Sequence, residues 1–241
     1  MSIDASSASS KLPVSDARWR LSLDRDFRVP GQASRWQLLH RGPHSRIYQL
    51  PDNTGAAKFI MPRSLPRDAV RKYFNCQAKR ELQGSRELAA IGLQVPHTFG
   101  WGMTLSPAAR YESVLFMQML PSFVSGLDFI RTETDIERRA WFLQHLARQL
   151  ARLHGNGYVH RDCHFANICL VGNETLVWID NDIRKPVRRT ERAKGLSKAL
   201  ALLKSTARSD LSDREWKSFT QWVRNALADW PLGEHLINEV F

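Results

Sequence analysis

Apolar and polar positions alternate between strand-like and helical spacing along this chain, with strands dominating the first half and helices the second. From about 36 to 60, in WQLLHRGPHSRIYQLPDNTGAAKFI, short apolar runs are broken by Gly, Pro and Asn-Thr-Gly, which predicts strands joined by turns. A Pro-flanked basic segment follows, then a helical spacing from about 68 to 91 that Gly92 closes. VPHTFGWGMTL and ARYESVLFMQML predict a further strand pair, with Ser106-Pro107 in the turn and Pro121 ending the second strand. Beyond that point the spacing becomes helical. IERRAWFLQHLARQLARLHGNG sets Ile136, Leu143, Leu146, Ala147, Leu150 and Leu153 on one face and stops at Gly-Asn-Gly. A loop and two short strands hinged at Gly172-Asn173 come next, then helical patterns over about 190–207 and 211–230. The pattern predicts an α+β chain: a flexible Ser-rich tail over 1–20, a strand-rich lobe over 21–120 and a helix-rich lobe over 121–241.

Composition narrows this picture. The 43% hydrophobic content of the 241 residues is ample for a core. The N-terminus lacks the basic-then-apolar order of a signal peptide, and no window is apolar enough to span a bilayer. The expectation is a cytoplasmic protein that touches a membrane only from that side. Cys76, Cys163 and Cys169 form no CxxC pair, and an odd count without a secretion signal predicts reduced thiols. A net charge of +11 favours an anionic partner. The charge concentrates between Arg184 and Arg208, where nine Lys or Arg face one acid, Glu191. A solvated surface also explains such a run.

The candidate chemistry lies in VHRDCHFANICLVGNETLVWIDND, residues 159–182. His160-Arg161-Asp162, four residues, then Asn167 resembles the HRDxxxxN catalytic loop of protein-kinase-like phosphotransferases. Asp180, at the end of LVWID, stands where that family carries its metal-binding aspartate. The resemblance implies a two-lobed protein-kinase-like fold using ATP and Mg²⁺. Phosphoryl transfer asks the protein chiefly to neutralise phosphate charge and to hold the acceptor hydroxyl in line. Asn167 and Asp180 would give hard oxygen ligands to Mg²⁺, and Asp162 would take or orient the acceptor's proton. Aspartates that merely cap turns are the competing explanation, though capping does not account for Asn167.

The same resemblance asks the N-terminal half for a lysine on the ATP phosphates, and AAKFI ends with Lys58 in place. Its glutamate partner on the next helix is either Glu81 or Glu87. Six residues apart, they differ by about 240° around a helix. Glu81 shares its face with Val70, Phe74, Ala78 and Leu88, and is preferred. RGPHSRIYQL has one glycine, Gly42, where a protein kinase has three; Gly42 and Ser45 are candidates for cradling phosphate, or simply close a hairpin. Ile47, Ala56, Cys169 and Ile179 fall where the family lines its adenine pocket, and Gln118, Met119 and Leu120 at its hinge, or all are ordinary core.

Among kinase-like families the chain resembles the lipopolysaccharide core kinases, through KRELQGSRELAAIGLQVP and ARLHGNGYVHRDCHFANICL. That resemblance covers about 36–205 and implies phosphate transfer to a Kdo or heptose hydroxyl of an anionic glycolipid, at the cytoplasmic face of the inner membrane. The basic 184–208 stretch would then contact that membrane or the acceptor. Trp216, Trp222 and Trp230 would sit at a lipid interface or in the core. Aminoglycoside- and choline-type phosphotransferases share the loop and remain competitors, as does a non-catalytic kinase-like binding module. Asp180 is followed by Asn-Asp rather than Phe-Gly, no Ala-Pro-Glu follows, and only residues 181–241 remain, which argues against a protein acceptor. No RNP, zinc-finger or helix-turn-helix signature supports nucleic acid.

Overall fold

The computed structural model describes residues 18–30, 36–51, 55–62, 70, 72–106, 109–120 and 122–241. The tail expected before residue 18, Pro107 of the expected turn, and Pro121 lie outside the described residues. The chain divides into two compact units. The first takes the described residues up to Lys79 together with Thr98–Met119, and the second takes Arg80–His97 and Leu120–Phe241.

The first unit is built on one antiparallel sheet of six strands: β1 (Trp19–Leu23), β2 (Gln37–Arg41), β3 (Ser45–Gln49), β4 (Ala56–Ile60), β5 (Thr98–Thr104) and β6 (Ser113–Met117). Their order is β1-β5-β6-β4-β3-β2, so β4 lies inside the sheet and is buried throughout. Side chains alternate along a strand. Ala57 and Phe59 therefore face a cluster with Trp36, Leu50, Tyr111, Val114 and Phe116, while Ala56, Lys58 and Ile60 face the other way. Phe59 is held by rings on several sides, with Trp19 at 5.7 Å, Tyr48 at 5.6 Å and Tyr111 at 5.3 Å between centroids. A one-residue slip would exchange Phe59 for Lys58 in that cluster, so the rings fix the register that presents the lysine. Trp19 and Arg20, expected in the tail, begin β1 on the sheet's outer edge.

The helix expected over 68–91 is interrupted. Residues 72–75 are helical, Cys76 breaks the run, and α1 proper spans Gln77–Ala90. The break discards the phase on which Val70 and Phe74 were aligned with Glu81. Val70 and Phe74 are exposed, while Ala78, Glu81 and Leu88 are buried and Glu87 is exposed.

The second unit is mainly helical, with α2 (Gly126–Thr132), α3 (Ile136–Gly155), α4 (Arg189–Thr206), α5 (Asp213–Leu227) and α6 (Gly233–Val240). The apolar face read from the sequence is the one that packs: Leu143, Leu146, Ala147, Leu150 and Leu153 are all at most 1% exposed, although Ile136 at the helix start faces water. Asp135 caps α3 by accepting the Glu137 N–H, and Ser212 with Glu215 forms a capping box on α5. Against this core lie two small antiparallel sheets. One orders β10 (Thr175–Trp178), β9 (Ile168–Val171) and β7 (Phe123–Ser125); the other pairs β11 (Ile183–Arg184) with β8 (Val159–His160). Gly172, at φ 61°, turns the β9–β10 hairpin where the hinge was expected. Trp216, Trp222 and Trp230 are half-buried against the core, in keeping with the packing alternative. Among the described residues no helix is long and apolar enough to cross a membrane.

Candidate active site

The second unit gathers Asp162, Asn167 and Asp180 through backbone geometry. Helix α3 ends at Gly155, and the chain runs through β8 into the loop Arg161–His164 and a 3₁₀ turn, Phe165–Asn167. Asn167 donates from Nδ2 to the Asp162 carbonyl at 2.9 Å, closing that loop on itself. The Asn167 carbonyl in turn accepts the Ile179 N–H at 3.0 Å, which brings the end of β10 to the loop. One residue later Asp180 adopts φ 56°, the sole left-handed backbone outside glycine among the described residues. Such a conformation is uncommon for a residue with a Cβ and clusters at functional sites. The carboxylate of Asp162 is mostly solvent-accessible, with His164 Nε2 at 3.6 Å.

The floor of this arrangement is neutral. His160 is buried and its Nδ1 accepts the Asp162 N–H at 3.2 Å, which assigns the ring proton to Nε2. Burial pushes its pKa down to about 4, outweighing the pull of Asp162, Asp180 and Asp182. His154, buried beside it on α3, is pushed to about 3 by burial and by His160. Cys163 and Cys169 are raised to about 12, by burial first and then by Asp162 and Asp180 respectively. Thiols held protonated in this way are poor nucleophiles.

Helix α1 meets this region within the same unit. Gly84 lies against the Asn181 backbone, and a methyl group there would overlap the Asn181 carbonyl oxygen. Asn181 donates from Nδ2 to Ser85 Oγ and to the Trp178 carbonyl, both at 3.0 Å. Glycine is a poor helix former, yet Gly84 is the residue that lets α1 approach. Glu81, one turn earlier, is 2% exposed.

The remaining candidates sort by unit. In the first, Lys58 is 4% exposed on β4, opposite Ile47 on β3 and Leu115 on β6; Ala56 pairs with Gln49 and Met117. Gly42 and Ser45 close the β2–β3 hairpin, the Gly42 N–H donating to the Ser45 carbonyl at 3.0 Å. Arg46, which the sequence reading passed over, donates to the Gly42 carbonyl at 2.5 Å. The Gly42 backbone is therefore engaged within its own hairpin. Gln118 and Met119 leave β6 without regular structure, and Leu120 opens the second unit. There Cys169 is buried in β9 between Val177 and Ser125, and Ile179 is half-buried.

Oxygen donors decide whether Mg²⁺ suits this site. Among the described residues no three His, Cys, Asp or Glu side chains converge as a protein-only cage would require. Asn167 and Asp180 instead offer two hard oxygens. The Asn167 amide nitrogen is committed to Asp162, which leaves its oxygen as the donor. Mg²⁺ commonly takes one or two protein ligands and completes its shell with phosphate and water, so the residues fit.

The lipopolysaccharide kinase (Kdo/WaaP) family model matches residues 60–222. The chain belongs to that family. It is accordingly an ATP-dependent phosphotransferase whose acceptor is a sugar hydroxyl of the lipopolysaccharide core, a glycolipid. No curated protein matches the sequence. Among solved structures, WaaP in complex with acyl carrier protein is similar over 91% of this chain and 93% of that one, with TM-score 0.61 and 20% identity. Glucosamine kinase in complex with glucosamine, ADP and inorganic phosphate is similar over 93% and 72%, with TM-score 0.50 and 13% identity. At these identities the likeness establishes the shared kinase fold, as expected from the sequence.

Proposed function

We propose that this lipopolysaccharide kinase works through Asp162 as the base for the acceptor hydroxyl, with Asn167 and Asp180 as the ligands of Mg²⁺. The observation that carries the reading is the linkage of the three residues: Asn167 holds the Asp162 carbonyl and the Ile179 N–H, and Asp180 follows directly. Asp162 accepts the proton as its sugar oxygen attacks the γ-phosphorus and the bond to the ADP oxygen breaks. Bound Mg²⁺ supplies positive charge to the phosphate oxygens. Lys58 is assigned to the α- and β-phosphates and Glu81 to the lysine's counter-ion; the burial of each on its own element supports this. Ile47, Ala56, Cys169 and Ile179 are assigned to the adenine, with Gln118, Met119 and Leu120 as hinge. Ser45 and the Gly42 hairpin are assigned to cover the phosphates, with Arg46 held beside them.

The basic stretch gives the acceptor and its membrane a docking face at the cytoplasmic side. Arg184, Lys185, Arg188, Arg189, Lys194, Lys198, Lys204 and Arg208 are exposed, and among the described residues none of them pairs with a carboxylate. Several crowd the N-terminus of α4, whose N-cap Arg188 gives no side-chain cap. Cations there oppose the helix dipole, so an anion at that end relieves both. Val187, 89% exposed, projects between them. The loop is braced by Lys185 over the Tyr158 ring at 4.7 Å and by Arg192 Nε donating to the Pro186 carbonyl at 2.7 Å.

Substitution of the two aspartates tests the division of roles. Asp162→Ala is expected to lower kcat by about 10²- to 10⁴-fold, the range of a positioned acid–base group, while Mg-ATP still binds. Asp180→Ala is expected to remove both transfer and the Mg²⁺ dependence of nucleotide binding. Wild-type turnover in Asp162→Ala would overturn the assignment.

A further inference from the structure

Asp182 stands outside every role assigned above, yet it joins the segments that carry them. Its carboxylate meets Arg80 Nε of α1 at 3.2 Å through Oδ2 and Arg161 Nε of the loop at 3.3 Å through Oδ1. The Arg80 contact is an aligned hydrogen bond, whereas the Arg161 contact is an ion pair without that alignment. The Asp182 carbonyl accepts the Arg161 N–H at 3.1 Å, and the Asp182 N–H donates to the Asp180 carbonyl at 2.8 Å.

Each partner is next to a residue of the proposed site. Arg161 precedes Asp162, Arg80 precedes Glu81, and Asp180 is itself the proposed Mg²⁺ ligand. The carboxylate is only 17% exposed and Arg80 14%, against 45% for Arg161, so the contact with Arg80 is well shielded from water. A surface ion pair in water has no such shielding. The register of β11 with β8 depends on the same turn, since the Ile183 N–H donates to the Asn181 carbonyl at 3.0 Å before Ile183 pairs with His160.

We infer that Asp182 is a positioning residue: through Arg161 and Arg80 it holds the catalytic loop, the Asp180 turn and α1 in one register. It touches neither nucleotide nor acceptor, and it acts through Asp162, Asp180 and Glu81. The inference rests on the roles proposed for those residues.

The experiment compares Asp182→Asn, Arg161→Gln, their double variant and Asp182→Glu, with Asp162→Ala alongside. Asp182→Asn keeps size and removes charge, and is expected to lower kcat by about 10²-fold, the cost of misplacing reacting groups by about 1 Å. The double variant is expected to lose no more than the worse single, because both break one unit. Asp182→Glu, which retains the charge, is expected to recover part of the loss. In nucleotide-free protein, amide exchange at Arg161, Asp182 and Ile183 is expected to accelerate in Asp182→Asn while distant α5 amides keep their protection. Turnover of folded Asp182→Asn within twofold of wild type, or single losses that multiply in the double, would overturn the inference alone. Should Asp182→Asn not fold, the half-exposed Arg161→Gln carries the test, and unchanged kcat there overturns it equally. Wild-type turnover in Asp162→Ala would instead overturn the reading of the site, and this inference with it.

Discussion

Asp180, the proposed Mg²⁺ ligand, places its carboxylate on a backbone that glycine would adopt more cheaply. Its φ of 56° costs a residue with a Cβ about 1 kcal/mol or more relative to glycine. Asp180→Gly is therefore expected to be more stable than Asp180→Ala by about 1 kcal/mol, with transfer lost in both. Urea midpoints and a transfer assay check the pair; equal stability would remove the claim of strain. Buried His154 and His160 carry a different liability. Their folded pKa values, about 3 and about 4, lie below the unfolded 6.5, so the unfolded chain binds the extra protons. Stability is then full above pH 6.5 and falls as pH drops towards 4, by about 1.4 kcal/mol per pH unit for each histidine. Denaturation at pH 7.5 and 5.5 is expected to show that loss, reduced in His154→Phe. The linked loop of the proposed site was the most legible part at this scale, because His160, Asp162, Asn167 and Asp180 are polar groups at fixed steps in an apolar run. Asp182 was not legible, since its meaning depends on Arg80, 102 residues away.

At the scale of elements, α1 shows where periodicity succeeds and where it stops. Glu81 was separable from Glu87 because burial within one continuous helix follows the 3.6-residue repeat. Val70 and Phe74 were assigned to the same face wrongly, since the break at Cys76 resets the phase. Helix α3 was legible because five of its six apolar positions pack on one face and a Gly-Asn-Gly stop marks its end. The short strands β1, β7 and β11 were not, because two to five residues carry too little alternation and their pairing is settled by distant partners. Gly84 gives the sharpest test at this scale. Alanine gains about 1 kcal/mol of helix propensity over glycine, but its methyl meets a backbone carbonyl that cannot rotate away. Gly84→Ala is expected to destabilise by about 1–2 kcal/mol net of that gain. A stabilised variant would show that α1 does not pack against Asn181 as described.

For the whole molecule, the +11 charge acquires a location that composition alone could not give it. The exposed cations of 184–208 surround the apolar tip at Val187, a combination suited to a surface with phosphate outside and hydrocarbon beneath. Arg188→Glu with Arg189→Glu is expected to weaken binding to vesicles containing phosphatidylglycerol by about tenfold or more, at about 1 kcal/mol per charge removed. Wild-type binding is expected to weaken with added salt and to be absent on phosphatidylcholine alone. Salt-independent binding, or equal binding to both vesicles, would contradict an electrostatic face.

The most direct measurement is transfer of labelled γ-phosphate from Mg-ATP to purified lipopolysaccharide core, with Asp162→Ala as control and an aminoglycoside panel beside it. The account predicts label in the core, none in the aminoglycosides, and labelling by the variant slowed by about 10²-fold or more. Label confined to the aminoglycosides, or equal labelling by Asp162→Ala, would contradict it.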